Sequence, residues 1–171
     1  MVAKQHLTFD GLAHIVAIKS LFPKGLNDSL QSAFTSLPLI ERPEFLMSES
    51  PLNTSWITGF TNGDGCFSLG FQKSSTHRLG ATCYPGFIIT QHGRDKVLLE
   101  RIATSLDCGS VSSPRADNCC YFKVTGLSII TNKIVPFFTD HRLYGAKALD
   151  FRDFHKGITI MNQGGHLTET G

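Results

Sequence analysis

Beyond residue 50 the hydrophobic period changes several times in a fixed order, and that order constrains the fold more than any other feature. Residues 52–63 are largely apolar and read as a helix, although Thr and two glycines weaken it on propensity alone. Phe67, Leu69 and Phe71 then alternate with Ser68, Gly70 and Gln72, the period of a half-buried strand. A second strand is expected over residues 81–91, with Pro85 pointing to an edge or a bulge. Helix returns over 95–106, where Leu98, Ile102 and Leu106 step by four. Two short strands are expected over 110–113 and 119–124, joined by a Pro-Arg-Ala-Asp-Asn turn. Ile130, Ile134 and Phe138 mark a further helix, and Phe151, Phe154, Ile158 and Met161 another. Helix, two strands, helix, two strands, helices: this is an α+β unit with a four-stranded antiparallel sheet. Helices pack one face of that sheet and leave the other open.

Upstream the composition shifts. Thr8 to Phe22 reads as a capped helix with Leu12, Ile15, Ile18 and Phe22 on one stripe. A short helical stretch follows near residues 29–34, and Pro38, Pro43 and Pro51 mark 37–53 as a linker or extended arm. The expected division is an N-terminal helix and arm, 1–51, and a single lobe, 52–171. With 171 residues, 41% of them hydrophobic, the chain supplies one full core and too little for two ordinary domains. No apolar run approaches the ~18–20 residues of a membrane helix, and Met1-Val-Ala-Lys-Gln-His6 lacks the apolar stretch of a signal peptide. No membrane partner is expected. Five cysteines, without a C-x-x-C, favour a reducing intracellular setting over a disulfide or zinc framework. Net charge is only +2, but its distribution is uneven. From Cys66 to Arg94 there is no Asp or Glu, while Lys73, His77, Arg78, His92 and Arg94 fall there, which suits a polyanion surface. One short repeat stands out: His6-Leu7-Thr8-Phe9-Asp10-Gly11 is echoed by His166-Leu167-Thr168-Glu169-Thr170-Gly171.

The segment from Trp56 to Phe67 carries the most chemical information. Gly59 and Gly63 are four apart, so on a helix they share one face and admit a second helix closely. Asp64 is placed at the helix C-terminus, where a negative charge opposes the dipole and needs a cation or a donor. Gly65 is expected to end the helix at positive φ. Two such helices packed face to face, through Trp56, Gly59, Phe60 and Gly63, set two aspartates side by side, and a divalent metal relieves their repulsion. Residue physics also accommodates a plain core helix with a glycine cap and an exposed Asp.

The same segment resembles the LAGLIDADG motif of homing endonucleases, with Ile57 to Gly65 filling its positions. Phe87-Ile-Ile-Thr-Gln-His92, Cys108-Gly109-Ser110, Pro136-Phe-Phe138 and Gly145-Ala-Lys-Ala-Leu-Asp-Phe151 are similar to further family landmarks. Leu52 to Thr168 resembles a complete lobe. Thr8 to Pro43 resembles the end of a preceding lobe plus the linker of single-chain, two-lobe members. Asn62 and Gly63 depart from the Asp-Ala of the motif's name. Only one copy of the motif is present, whereas the family's active site takes one from each of two lobes.

The resemblance implies the LAGLIDADG fold and metal-dependent, site-specific cleavage of double-stranded DNA. The chain would act as a homodimer on a near-palindromic site or with a separate second lobe. Asp64 would hold Mg²⁺, with the Gly63 carbonyl as a further ligand. Gln91 would order active-site water, and Lys147 would stabilise charge on the phosphate. A surface glutamine and a solvated helix-start lysine are the plainer readings of those two residues. If Phe67, Leu69 and Phe71 face the helices, alternation turns Ser68, Gly70 and Gln72 toward DNA. Thr82, Tyr84, Gly86 and Ile88 follow on the second strand, with Ser74, His77 and Arg78 at the loop. Ser112, Arg115, Tyr121 and Lys123 extend the surface along the other hairpin, and Arg94 reaches phosphate. A non-catalytic lobe, such as an intron maturase binding RNA or half of a split enzyme, is the alternative. The family's usual home in mobile introns implies a mitochondrion or another organelle.

Overall fold

The structure is a computed structural model describing residues 4–22, 24–38, 40, 50–114 and 116–168. It divides into two compact units, Met1–Ser48 and Glu49–Gly171. In the first, Thr8 caps α1 (Phe9–Ser20) by accepting from the Gly11 amide at 3.1 Å. Asn27 does the same for α2 (Asp28–Ala33) through the Leu30 amide at 3.0 Å. The face that α1 buries is not the expected one. Ala13, Val16 and Ala17 are buried, while Leu12, Ile15, Ile18 and Phe22 are exposed. The helix is apolar on both sides, and its small-residue side is the buried one. Of the expected arm, residues 41–49, Pro43 among them, lie outside the described residues.

The second unit follows the expected order. Asn53 opens α3 (Thr54–Asp64), its Oδ1 accepting from the amides of Ser55 at 2.8 Å and Trp56 at 3.3 Å. Ile57, Thr58 and Thr61 form its buried stripe. The chain passes directly into β1 (Gly65–Lys73) and returns as β2 (Ala81–His92). A 3₁₀ turn, Gly93–Asp95, leads to α4 (Lys96–Leu106). The strands β3 (Ser110–Val111) and β4 (Cys119–Thr125) complete one antiparallel sheet, in the order β1-β2-β4-β3. Next come α5 (Leu127–Ile129), a π turn over Ile130–Ile134 and α6 (Val135–Asp140). The wider turn accommodates Pro136, which has no N–H for an ordinary helical bond. The long α7 (Gly145–Asn162) follows. No helix among the described residues is long and apolar enough to cross a membrane.

Several expectations shift in detail. The third strand is two residues long, and α4 buries Leu99 with Ile102 and Leu106, so its inward stripe starts one residue later than the step of four implied. Pro85 lies within a central strand. The β4 pairing of β2 starts only at Gly86, however, so at Pro85 β2 has β1 as its one neighbour. Gly65 has φ −78°, not a positive value, because β1 starts at once and demands extended backbone. Glycine is needed there for space: a Cβ would fall 2.5 Å from Thr61 Cγ2 and 2.8 Å from the Thr61 carbonyl.

The core lies between the sheet and its helical layer. Phe67 packs against Phe87, Phe138, Phe151 and Phe154 with ring centroids 5.0–5.4 Å away. Gly157 lets α7 seat closely on β1, since a Cβ would meet Leu69 at 2.4 Å. Phe71 shares this sheet face but is 74% exposed, beside a cavity of about 320 Å³ where the helical cover ends. The first three residues of the repeat, His6-Leu7-Thr8 and His166-Leu167-Thr168, fold alike. Each His-Leu pair closes a 3₁₀ turn (Gln5–Leu7, Gly165–Leu167) and leads into an extended Thr with ψ 156°.

Candidate active site and nucleic-acid interface

Asp64 ends α3, where the helix dipole disfavours its charge, and the sheet register supplies the donor it needs. Gly65 pairs with Ile89, which carries Gln91 back beside the helix end. Gln91 Nε2 donates to Asp64 Oδ2 at 2.9 Å. From the other side, Lys147 Nζ donates to the Gly65 carbonyl at 2.6 Å, with the Asp150 carboxylate 3.8 Å away. The lysine side chain is 21% exposed and lies in the first turn of α7, where the dipole is unfavourable to a cation. Its position therefore rests on the carbonyl and on Asp150. Under this corner, the buried Cys120 thiol donates to the Gln91 carbonyl at 3.4 Å, and burial pushes that thiol up, keeping it neutral.

The structure thus brings Asp64, Gln91 and Lys147 to one corner. As a metal site the corner is partial. Among the described residues no group of three His, Cys, Asp or Glu gathers. One carboxylate with neighbouring backbone carbonyls, Gly63 among them, fits a hard divalent ion that also takes waters and phosphate oxygens. It does not fit a self-contained cage. Beside the corner, Asn62 Oδ1 accepts from the Tyr144 amide at 3.2 Å, a pair the sequence reading passed over.

One face of α3 is bare. Gly59 and Gly63 are exposed, and a Cβ on either meets nothing within 4 Å. Trp56, 42% exposed, stacks on Phe60 at 4.9 Å. A polar cleft of about 460 Å³ borders this face, reaching from Ser55 and Gly59 to Arg142 and Tyr144.

The sheet face away from the helices carries most of the residues expected to meet nucleic acid. Its rungs are Ser68↔Gly86, Gly70↔Tyr84 and Gln72↔Thr82, then Ile88↔Lys123 and Thr90↔Tyr121. Ser112 joins them, accepting from the Tyr121 amide at 3.1 Å. Three positions are engaged by neighbours within the fold. Gly86 is buried, and Ser68 turns its hydroxyl onto the Gly86 carbonyl at 3.3 Å, so that rung closes on itself. Tyr84 lies across Gly70, where a Cβ would strike its ring at 2.4 Å, so the tyrosine is the exposed feature there. Arg78 donates to the Leu167 carbonyl at 3.3 Å and is committed to the 3₁₀ turn after α7. Ser74 and His77 order the β1–β2 loop, the serine hydroxyl accepting from the His77 amide at 3.3 Å. Arg94 lies at the other end of β2, 3.4 Å from Asp95. Arg115 lies outside the described residues.

An acid-free open sheet, a carboxylate at its edge and a bare glycine face define an α+β domain whose open face suits a polyanion. The family profile described as LAGLIDADG endonuclease matches residues 57–158, and the chain belongs to that family. Over 168 residues it is 32% identical to the "Probable intron-encoded endonuclease 3" of Neurospora crassa, covering 98% of this chain and 31% of that protein. The crystal structure of the LAGLIDADG homing endonuclease I-LtrWI bound to target DNA superposes with TM-score 0.89 at 40% identity, covering 97% of this chain and 55% of that one. I-SmaMI, bound to uncleaved DNA target in the presence of calcium ions, gives TM-score 0.91 at 37% identity over 97% and 56%. The chain therefore spans about a third of the Neurospora protein and about half of each solved enzyme.

Proposed function

We propose that this chain is one lobe of a metal-dependent, site-specific DNA endonuclease, and that residues 52–171 form the lobe while 1–51 form a helix and arm. The observation that carries the proposal is the corner where Gln91 donates to Asp64 and Lys147 reaches the Gly65 carbonyl, at the edge of an open, acid-free sheet. Asp64 and the Gly63 carbonyl hold Mg²⁺. Bound there, Mg²⁺ would supply Lewis-acid activation of a water and charge neutralisation at the phosphodiester. Gln91 holds the Asp64 carboxylate in place and orients water. Lys147 leaves the Gly65 carbonyl for the phosphate, where its charge counters what builds there. Gln72, Thr82, Tyr84, Tyr121 and Lys123 meet base edges and phosphates in the major groove. A second copy, joined through Trp56, Gly59, Phe60 and Gly63, brings the second aspartate and makes the target near-palindromic.

A second reading has its own support. The chain aligns with about half of each solved relative. A different lobe is then the partner, and the isolated chain binds nucleic acid, intron RNA included, without cutting. The intron-encoded relative supports an organellar, mitochondrial setting.

The test is Mg²⁺-dependent cleavage of a randomised inverted-repeat DNA library, read by sequencing the cut ends. Cuts at a symmetric site, lost in Asp64→Asn and in EDTA, support the homodimeric nuclease. Salt-sensitive binding without cutting supports the lobe that needs a different partner. Neither binding nor cutting overturns both readings.

A further inference from the structure

We propose that Asn62 is a positioning residue: its amide oxygen fixes the first turn of α7 and so keeps the Lys147 side chain beside Asp64, within reach of the Gly65 carbonyl and of the phosphate it serves. The proposal rests on the nuclease reading for its catalytic consequence and on geometry for the rest.

The start of α7 has no anchor of its own. Tyr144 provides no side-chain cap and no acidic residue lies in the first turn, so the usual N-terminal devices are missing. Gly145, the first residue of α7, adopts φ +59°, a left-handed conformation that turns the chain into the helix. The turn is held from outside, at two points that flank Asp64. Asn62 Oδ1 accepts from the Tyr144 amide at 3.2 Å, and the Gly65 carbonyl accepts from Lys147 Nζ at 2.6 Å. Tyr144 and Lys147 are less than one helical turn apart, about 4.5 Å along the axis, so a slip at one moves the other nearly undamped. An amide suits the position. A carboxylate would accept the same bond but add a second negative charge to the last turn of α3, where the dipole already disfavours Asp64.

The test compares Asn62→Ala and Asn62→Asp in the full chain. Asn62 is half-exposed and Ala is the better helix former, so the Ala variant keeps the fold. Three readouts are taken: hydrogen exchange at the Tyr144 amide, the acetylation rate of Lys147 by mass spectrometry, and single-turnover cleavage with DNA affinity measured separately. In Asn62→Ala, exchange and acetylation should each rise about tenfold or more, and cleavage should fall about 10- to 100-fold at unchanged affinity. Asn62→Asp should bring all three back to within about threefold of the parent, because it still accepts from Tyr144. Unchanged exchange at Tyr144, or freed Tyr144 with unchanged Lys147, overturns the proposal. So does Asn62→Asp behaving like Asn62→Ala. If the parent chain cuts no DNA, the homodimeric nuclease reading is what fails, and the exchange and acetylation results still decide the positioning role.

Discussion

Replacing Thr61 with valine should stabilise the protein, although it removes a polar group from the most distinctive segment of the chain. Thr61 is fully buried on the inner stripe of α3, and among the described residues its Oγ1 has no hydrogen-bond partner. A buried hydroxyl left unpaired costs about 1–3 kcal/mol in desolvation. Valine has nearly the same shape and nearly the same helix propensity, so neither packing nor the backbone should oppose the change. The Cγ2 that occupies the space beside Gly65 is retained. The net gain should be about 1–2 kcal/mol, which in a chain of this size raises the unfolding midpoint by roughly 2–8 °C. Trp56, the sole tryptophan, lies on the same helix and reports the transition by fluorescence in urea. The midpoint should rise with an unchanged slope. Thr61→Ser should lose stability, because it keeps the hydroxyl and opens a cavity where the methyl was. A midpoint for Thr61→Val equal to or below the parent's would refute the reasoning. It would mean that the hydroxyl is bonded, most simply to the carbonyl one helical turn back.

Other outcomes follow from the same geometry. Gly59→Leu should stabilise the isolated chain by about 0.5–1 kcal/mol, since nothing lies near its Cβ and leucine is the better helix former. The same variant should abolish self-association through α3, which sedimentation would detect; undiminished association would place the interface elsewhere. Cys66 lies on the open sheet face opposite Ile88 and is exposed, so an alkylating reagent should modify it quickly and bound DNA should protect it. Equal labelling with and without DNA would remove that face from the interface. Lys133, donating to Asp107 at 2.8 Å, holds that carboxyl below its ordinary value through the hydrogen bond and then the charge. Such a pair contributes above the unfolded carboxyl pKa and is lost as pH falls through the depressed one. In Lys133→Ala the Asp107 titration followed by NMR should move up, and a fixed titration would deny the pairing in solution.

The alternation of Phe67, Leu69 and Phe71 and the helical steps of Ile130, Ile134 and Phe138 made the layered fold readable in advance. Periodicity is a local property that burial on one face imposes directly. Asp64 was legible for the same reason: a glycine-spaced apolar helix ending in a carboxylate is visible along the chain. Less local matters were misread. Gly65 invited a left-handed cap, but an adjoining strand holds it extended and the Thr61 side chain demands its missing Cβ. On α1 both sides are apolar, and only packing selects which one is buried. Arg78 lies in the basic β1–β2 loop as expected, and only the tertiary structure shows its bond to the Leu167 carbonyl.

By itself, then, the sequence determined the order of elements, the inward faces of the strands and the carboxylate at the end of α3, because each follows from short-range spacing. Tertiary structure alone decided that Gln91 becomes the donor to Asp64, that Lys147 reaches the Gly65 carbonyl, and that Asn62 grips the start of α7. These groups are 27 to 82 residues apart, and hydrogen bonds act over about 3 Å. Strand register and helix packing, which no local pattern encodes, bring them within reach.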